Sequence, residues 1–199
     1  HDLFQDVRRK QAMLRLAQVH MADPLVAAVL AYTKETPNLY MQLNMACRSP
    51  GLHWEKVLEG YRDYLYHLDR SIQALPNFSG PAYRGIAETS LGASYRVGCT
   101  ITWQQFSSAS KEVRQAFNFL IKDGNKLSGC LFVLQVLTGK EVELCSEFPQ
   151  EREVLLPINS HFQVVEHVAQ HQHERKLQVI PLLDHFDASG LQLYLLNQL

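Results

Sequence analysis

Apolar positions change their period once along this chain. Between Leu52 and Leu75 they fall at Trp54, Val57, Leu58, Tyr61, Leu65, Leu68, Ile72 and Leu75. Steps of three and four predict one long amphipathic helix that ends before Pro76. Asp23 before Pro24 and Thr36 before Pro37 predict two helix starts, because proline fits the first helical turn. An earlier helix is expected from about Leu3 to about His20. After "LPNFSGP" the period drops to two. Val97, Cys99, Ile101 and Trp103 alternate with Gly98, Thr100 and Thr102, which predicts a half-buried strand. "GCLFVLQVL" (129–137), "REVLLP", "HFQVV" and "LQVIPLL" (177–183) are further strand candidates, with a short helix expected from Lys111 to Leu120. "HERK" (173–176) reads as a charged turn. The closing "SGLQLYLLNQL" is apolar enough to dock on the core or on a neighbouring chain. Helices first and strands afterwards predict an α+β fold with a mixed, mostly antiparallel β core.

Length and composition narrow this picture. With 199 residues, 46% of them hydrophobic, the chain suits one domain with a substantial core and is short for two. Nineteen Lys and Arg face twenty Asp and Glu, so no basic excess points to nucleic acid. No apolar run approaches the length of a membrane span. The first residue is His, as expected of a cropped or processed chain, so the lack of a leader says little about compartment. Cys47, Cys99, Cys130 and Cys145 form no CxxC pair. Cys99 and Cys130 lie in apolar strand-like stretches, where a free thiol is expected to behave as a small buried hydrophobe. His161, His167, His171 and His173 have no companion ligand set, so no metal is expected.

Three strand-associated motifs carry candidate chemistry. In "AYRGI", Arg84 offers five fixed donors suited to a diphosphate, and Gly85 would let a ligand approach the backbone closely. The plain alternative is a surface arginine at a turn. "WQQFSSAS" closes the alternating strand with Ser107, Ser108 and Ser110, of which Ser110 could equally cap the following helix. "FPQEREVLLP" sets Glu151 and Glu153 on either side of Arg152. Pleating would point the two carboxylates to one face and Arg152 to the other. Two like charges there raise the cost of burial unless a cation arrives. A solvated strand end is the plain alternative.

Taken in order, an aromatic-Arg-Gly strand, an aromatic-Ser-X-Ser strand end and Phe-Pro-X-Glu-X-Glu-Val-Leu resemble the Arg-Ser-Glu class of arginine-specific mono-ADP-ribosyltransferases. The likeness extends over about Leu25 to Val165. "VLAYTKETPNLYMQLNMACR" resembles the family's helical segment, and "ALPNFSGPAYRG" its approach to the arginine strand. Departures are Ala109, where Thr or Ser is common, and Ile158 and Ser160, where vertebrate members often have Pro and Glu. Ala82 and Leu137 stand in the neighbourhoods of the paired cysteines of secreted vertebrate members. That leans towards an intracellular, reducing compartment, against a single glycosylation sequon at Asn77-Phe78-Ser79.

The resemblance implies a single domain, with a helical lobe over about 1–75 and a β-rich NAD-binding core over about 76–199, its two packed sheets enclosing an NAD cleft. It implies NAD as co-substrate without a metal, and a target protein carrying an acceptor arginine as partner. Arg84 would hold the phosphates, and the Gly85 backbone the nicotinamide amide. Ser108, with Ser110 in the same motif, would position the ribose and Glu153. Glu153 would hydrogen-bond a ribose hydroxyl and stabilise an oxocarbenium-like transition state. Glu151 would orient and deprotonate the guanidinium acceptor, with Phe148 as an apolar contact for the target. Phe117 or Phe119 would stack on the nicotinamide. An NAD glycohydrolase on the same scaffold and a non-catalytic binding module are the competing expectations.

Overall fold

The computed structural model describes residues 3–34, 38–49, 51–168 and 187–199. The helix start at Thr36, His171, His173, the "HERK" turn and the "LQVIPLL" strand lie outside the described residues. Six α-helices run in chain order: α1 (Leu3–Leu16), α2 (Asp23–Thr33), α3 (Leu39–Arg48), α4 (Leu52–Gly60), α5 (Arg62–Ala74) and, among the strands, α6 (Val113–Ala116). The strands are β1 (Asn77–Ile86), β2 (Thr100–Trp103), β3 (Ser107–Ser110), β4 (Ile121–Asp123), β5 (Lys126–Glu141), β6 (Glu153–Leu156), β7 (Ser160–Val168) and β8 (Asp187–Gln198). Helices precede a mixed sheet, as the change of period predicts.

The chain forms two compact units that take alternate segments. One comprises His1–Phe78, Gln104–Ser107 and Gly139–Asn159; the other comprises Ser79–Trp103, Ser108–Thr138 and Ser160–Leu199.

The first unit is built on α2, whose sequence "DPLVAAVLAYT" is apolar nearly all round. Val26, Val29 and Leu30 are fully buried there. Leu14 of α1, Leu43 of α3, Leu68 and Ile72 of α5 pack into the same core, joined by Phe106, Val142, Cys145 and Leu155 from later in the chain. Each fully buried leucine contributes roughly 1.5–3 kcal/mol. Two polar bonds fix α5 on α2: Ser71 Oγ donates to the Leu25 carbonyl at 2.8 Å and Tyr64 Oη to the Ala28 carbonyl at 3.0 Å. The short β6 closes this unit by antiparallel pairing with the end of β5, Leu155 opposite Lys140 and Val154 opposite Glu141.

The second unit is mostly sheet. β8 lies between β5 and β7, parallel to β5 (Leu131 opposite Leu193) and antiparallel to β7 (Val164 opposite Leu196). β7 continues to β2, Ile101 opposite Phe162, and β4 forms a hairpin with the start of β5. β1 pairs with β3 at Tyr83 and Ser110. The closing apolar stretch is therefore an interior strand of its own chain.

Four expectations are corrected. The helix expected over 52–75 is two, because Gly60 weakens the helix and Tyr61 turns out of it at φ −97°, ψ 4°. The first helix stops at Leu16, where Gln18 takes a left-handed φ of 58°. Lys111–Leu120 is a single α-turn, α6, followed by a 3-10 turn over Phe117–Phe119. The strand expected from Val97 starts only at Thr100. Val97 is exposed, and Cys99 is exposed where its N–H closes a turn on the Arg96 carbonyl at 3.0 Å. Cys130, by contrast, is fully buried, and all four thiols are free.

Candidate active site

Arg84 stands half-buried near the end of β1, where a hydrogen bond and a ring contact help to hold its guanidinium. Its Nη1 donates to the Ser108 carbonyl oxygen at 2.5 Å, which the pairing of Tyr83 with Ser110 brings within reach. Its Cζ lies 5.7 Å from the centre of the Trp103 ring. A cation over an indole face is worth about 0.5–2 kcal/mol, depending on how much water it has lost. Trp103 is itself locked: its indole N–H donates to Tyr95 Oη at 2.9 Å, and it packs against Phe132 and Phe162 at 5.4 and 4.7 Å. Burial raises the Tyr95 phenol pKa, and the Trp103 hydrogen bond and the Arg84 charge offset part of that rise. A preoriented cation on this strand is what an anionic ligand would need.

The serine motif forms its own strand, β3, rather than the end of the alternating one. Phe106 drops into the first unit's core and breaks the alternation. Ser110 is buried, and its hydroxyl accepts the Glu112 N–H at 2.9 Å. It thus closes a two-residue turn ahead of α6, whose N-terminus has no side-chain cap. Gly85 is required by packing: a Cβ there would collide with the Ala116 carbonyl of α6. Phe117 is buried in the core around Leu127 and Leu131, whereas Phe119 is exposed.

The glutamates are presented differently from the pleated pattern expected. Pro149–Glu151 is a 3-10 turn, and Arg152 follows in the left-handed region at φ 48°, ψ 47°. The strand begins only at Glu153, so Glu151 is set by the turn and Glu153 by β6. Glu153 is buried at 8% exposure, Glu151 and Phe148 are half-buried, and Arg152 is exposed. The Glu153 carbonyl accepts the Val142 N–H at 3.3 Å. A buried carboxylate is costly unless something cationic or hydrogen-bonding meets it, which singles out Glu153 from the surface glutamates.

The second unit thus brings together Arg84, Gly85, Ser108 and Ser110, while the first brings together Phe148, Glu151 and Glu153. Sequence reasoning missed Trp103 and Tyr95 as supports of Arg84. Their only signal was aromatic composition, since the contacts arise from side-chain packing that no residue spacing announces.

A family model described as NAD:arginine ADP-ribosyltransferase matches residues 5–182. The chain belongs to this family. Among its relatives, ecto-ADP-ribosyltransferase 5 of Bos taurus is 30% identical over 144 residues, covering 65% of this chain and 42% of that protein. Its counterpart in Mus musculus is 32% identical over 146 residues, covering 69% and 45%. The chain therefore spans less than half the length of these relatives. Among solved structures, the ADP-ribosyltransferase Vis of Vibrio splendidus, in complex with agmatine, superposes with a TM-score of 0.69 at 18% identity, covering 100% of this chain and 86% of that one. That likeness shows the fold.

Among the described residues no group of three or more His, Cys, Asp or Glu could hold a metal, and no helix is long and apolar enough to cross a membrane. His161 Nδ1 lies 2.9 Å from the Thr102 hydroxyl, and His167 stacks on Tyr194 with its Nε2 3.0 Å from Gln192 Oε1.

Proposed function

We infer that this chain transfers ADP-ribose from NAD to an arginine side chain of a target protein. The observation that carries the reading is the pair of glutamates separated by the left-handed Arg152, the inner one buried at a strand start and the outer one on a turn. In this reading the bond between ribose C1 and the nicotinamide nitrogen breaks, and its electron pair leaves with nicotinamide. Positive charge develops on the ribose, where the Glu153 carboxylate stabilises it. A guanidine nitrogen lone pair then forms the new bond to C1, and Glu151 takes the proton that the guanidinium gives up. Arg84, fixed on Trp103 and the Ser108 carbonyl, holds the diphosphate. Ser108, with Ser110 in the same motif, positions the ribose, and Phe119, the exposed one of the two phenylalanines, stacks on the nicotinamide ring. The family match supports NAD as substrate. The agmatine complex of Vis supports a guanidine as the probe.

The test is mass spectrometry of products from NAD plus agmatine. Wild type is expected to make ADP-ribosyl-agmatine. Glu151→Gln should keep releasing nicotinamide while losing the adduct. Glu153→Gln should lower nicotinamide release by about two to four orders of magnitude. Nicotinamide without adduct from the wild type would replace this reading with a glycohydrolase. No nicotinamide at all would leave a binding module on the same fold.

A further inference from the structure

The loop that ends in Glu151 is fastened to α2 by one side chain outside the residues assigned above. The Glu147 N–H donates to Thr33 Oγ1 at 2.9 Å. The Thr33 hydroxyl proton is directed to the Leu30 carbonyl at 3.2 Å, at the C-terminal end of α2. A hydroxyl has one proton and two lone pairs, so it can donate back to its own helix and accept from the loop together. On one side of this bond, Cys145 and Ser146 are fully buried, and their N–H groups close on the Val142 carbonyl at 2.9 and 2.8 Å. On the other side, Ser146 Oγ accepts the Phe148 N–H at 3.1 Å, and the Phe148 carbonyl accepts the Glu151 N–H at 3.1 Å. A chain of hydrogen bonds and peptide links thus runs from the Leu30 carbonyl to the backbone of Glu151.

Glu153 is held in another way. It belongs to β6, whose next residues pair with Lys140 and Glu141 of β5, and its own carbonyl accepts the Val142 N–H. The backbone segments that carry the two carboxylates are thus held differently, the outer one through a side-chain hydroxyl and the inner one through a strand ladder.

We propose that Thr33 is a positioning residue for the acceptor, fixing through the Glu147 N–H the loop that presents Glu151 to a guanidinium. This rests on the assignment of Glu151 to the acceptor made above. Losing the hydroxyl frees the loop without touching the ladder, so acceptor use should change while cleavage of NAD persists.

The experiment uses the full chain with NAD and agmatine, comparing wild type, Thr33→Val, Thr33→Ala and Thr33→Ser. It reads the agmatine KM, the ratio of ADP-ribosyl-agmatine to free ADP-ribose, the rate of nicotinamide release, and the melting temperature. Thr33→Val keeps the shape and removes the acceptor oxygen; its product ratio should fall about five- to tenfold, the size of one hydrogen bond. The agmatine KM should rise with it, and nicotinamide release should stay within about twofold. Thr33→Ala removes the same oxygen without placing a methyl against the loop and should show the same shift. Thr33→Ser restores the hydroxyl and should restore the ratio. An unchanged ratio in either deletion overturns the inference, as does a parallel loss of both activities that serine does not rescue. A wild type that releases nicotinamide and makes no adduct overturns the arginine reading instead, and that failure is visible before any Thr33 variant is compared.

Discussion

Arg152 decides how the two glutamates are presented. A residue with a Cβ seldom takes φ 48°, and holding it there costs on the order of 1 kcal/mol. The turn from Pro149 to Glu151 enforces it, with the Arg152 N–H donating to the Pro149 carbonyl at 3.1 Å. At Arg84 the deciding neighbour is Trp103. Trp103→Leu should raise the KM for NAD about three- to thirtyfold by removing the ring under the guanidinium. Trp103→Phe, which keeps a ring face, should cost less. Steady-state kinetics with NAD on folded variants checks this, and an unchanged KM in the leucine variant would sink the role given to Trp103. At this scale the sequence nominates candidate residues and says little of what supports them. Arg84, Ser108, Glu151 and Glu153 could be named from motif order. A left-handed Arg152 and a carbonyl, rather than a hydroxyl, from Ser108 could not be read, because both depend on backbone geometry that residue types only loosely constrain.

Among the elements, periodicity found the large ones and misplaced their ends. The apolar positions from Leu58 to Leu75 do pack on the core, yet Gly60 and Tyr61 divide the stretch into α4 and α5. Propensity at one residue decided what a window-averaged pattern could not. The same happened at Phe106, which interrupts the alternation between β2 and β3 by packing edge-on to Tyr32 at 5.8 Å. Gly60 offers a direct check. It is exposed, has no positive φ, and a Cβ there would meet nothing within 4 Å. Gly60→Ala should therefore stabilise the chain by about 0.5–1 kcal/mol, mainly by restricting the unfolded state. A urea unfolding midpoint that moves upward with unchanged slope is the expected result; a downward shift would mean that the break between α4 and α5 needs glycine.

For the whole molecule, the interleaving of the two units was invisible in the sequence. A boundary near residue 75 follows the change of period, yet Phe106, Val142, Cys145 and Leu155 complete the core of α1, α2 and α5. Of these four, Cys145 also carries part of the pH dependence of stability. Burial pushes the Cys145 thiol up to about 12, with the Lys10 charge pulling the other way, and burial beside Glu88 pushes Cys130 up to about 11. Tyr64 is raised as well, chiefly by burial. An unfolded chain releases the thiol protons near their ordinary pKa, about 8.5–9, while the folded chain keeps them. Above that point the unfolded state binds fewer protons, so stability must fall as pH rises. The contribution is whole below about pH 8.5 and is lost between there and pH 11–12. Lys10 and Lys140 act in the opposite sense, since burial lowers their pKa, but their shifts are the smaller ones. Melting temperatures from circular dichroism should therefore decline steadily from pH 8.5 to 11, and Cys145→Ala should flatten that decline even where it lowers the starting value. A wild-type melting temperature that holds level or climbs over this range would show that Lys10 and Lys140 outweigh the thiols.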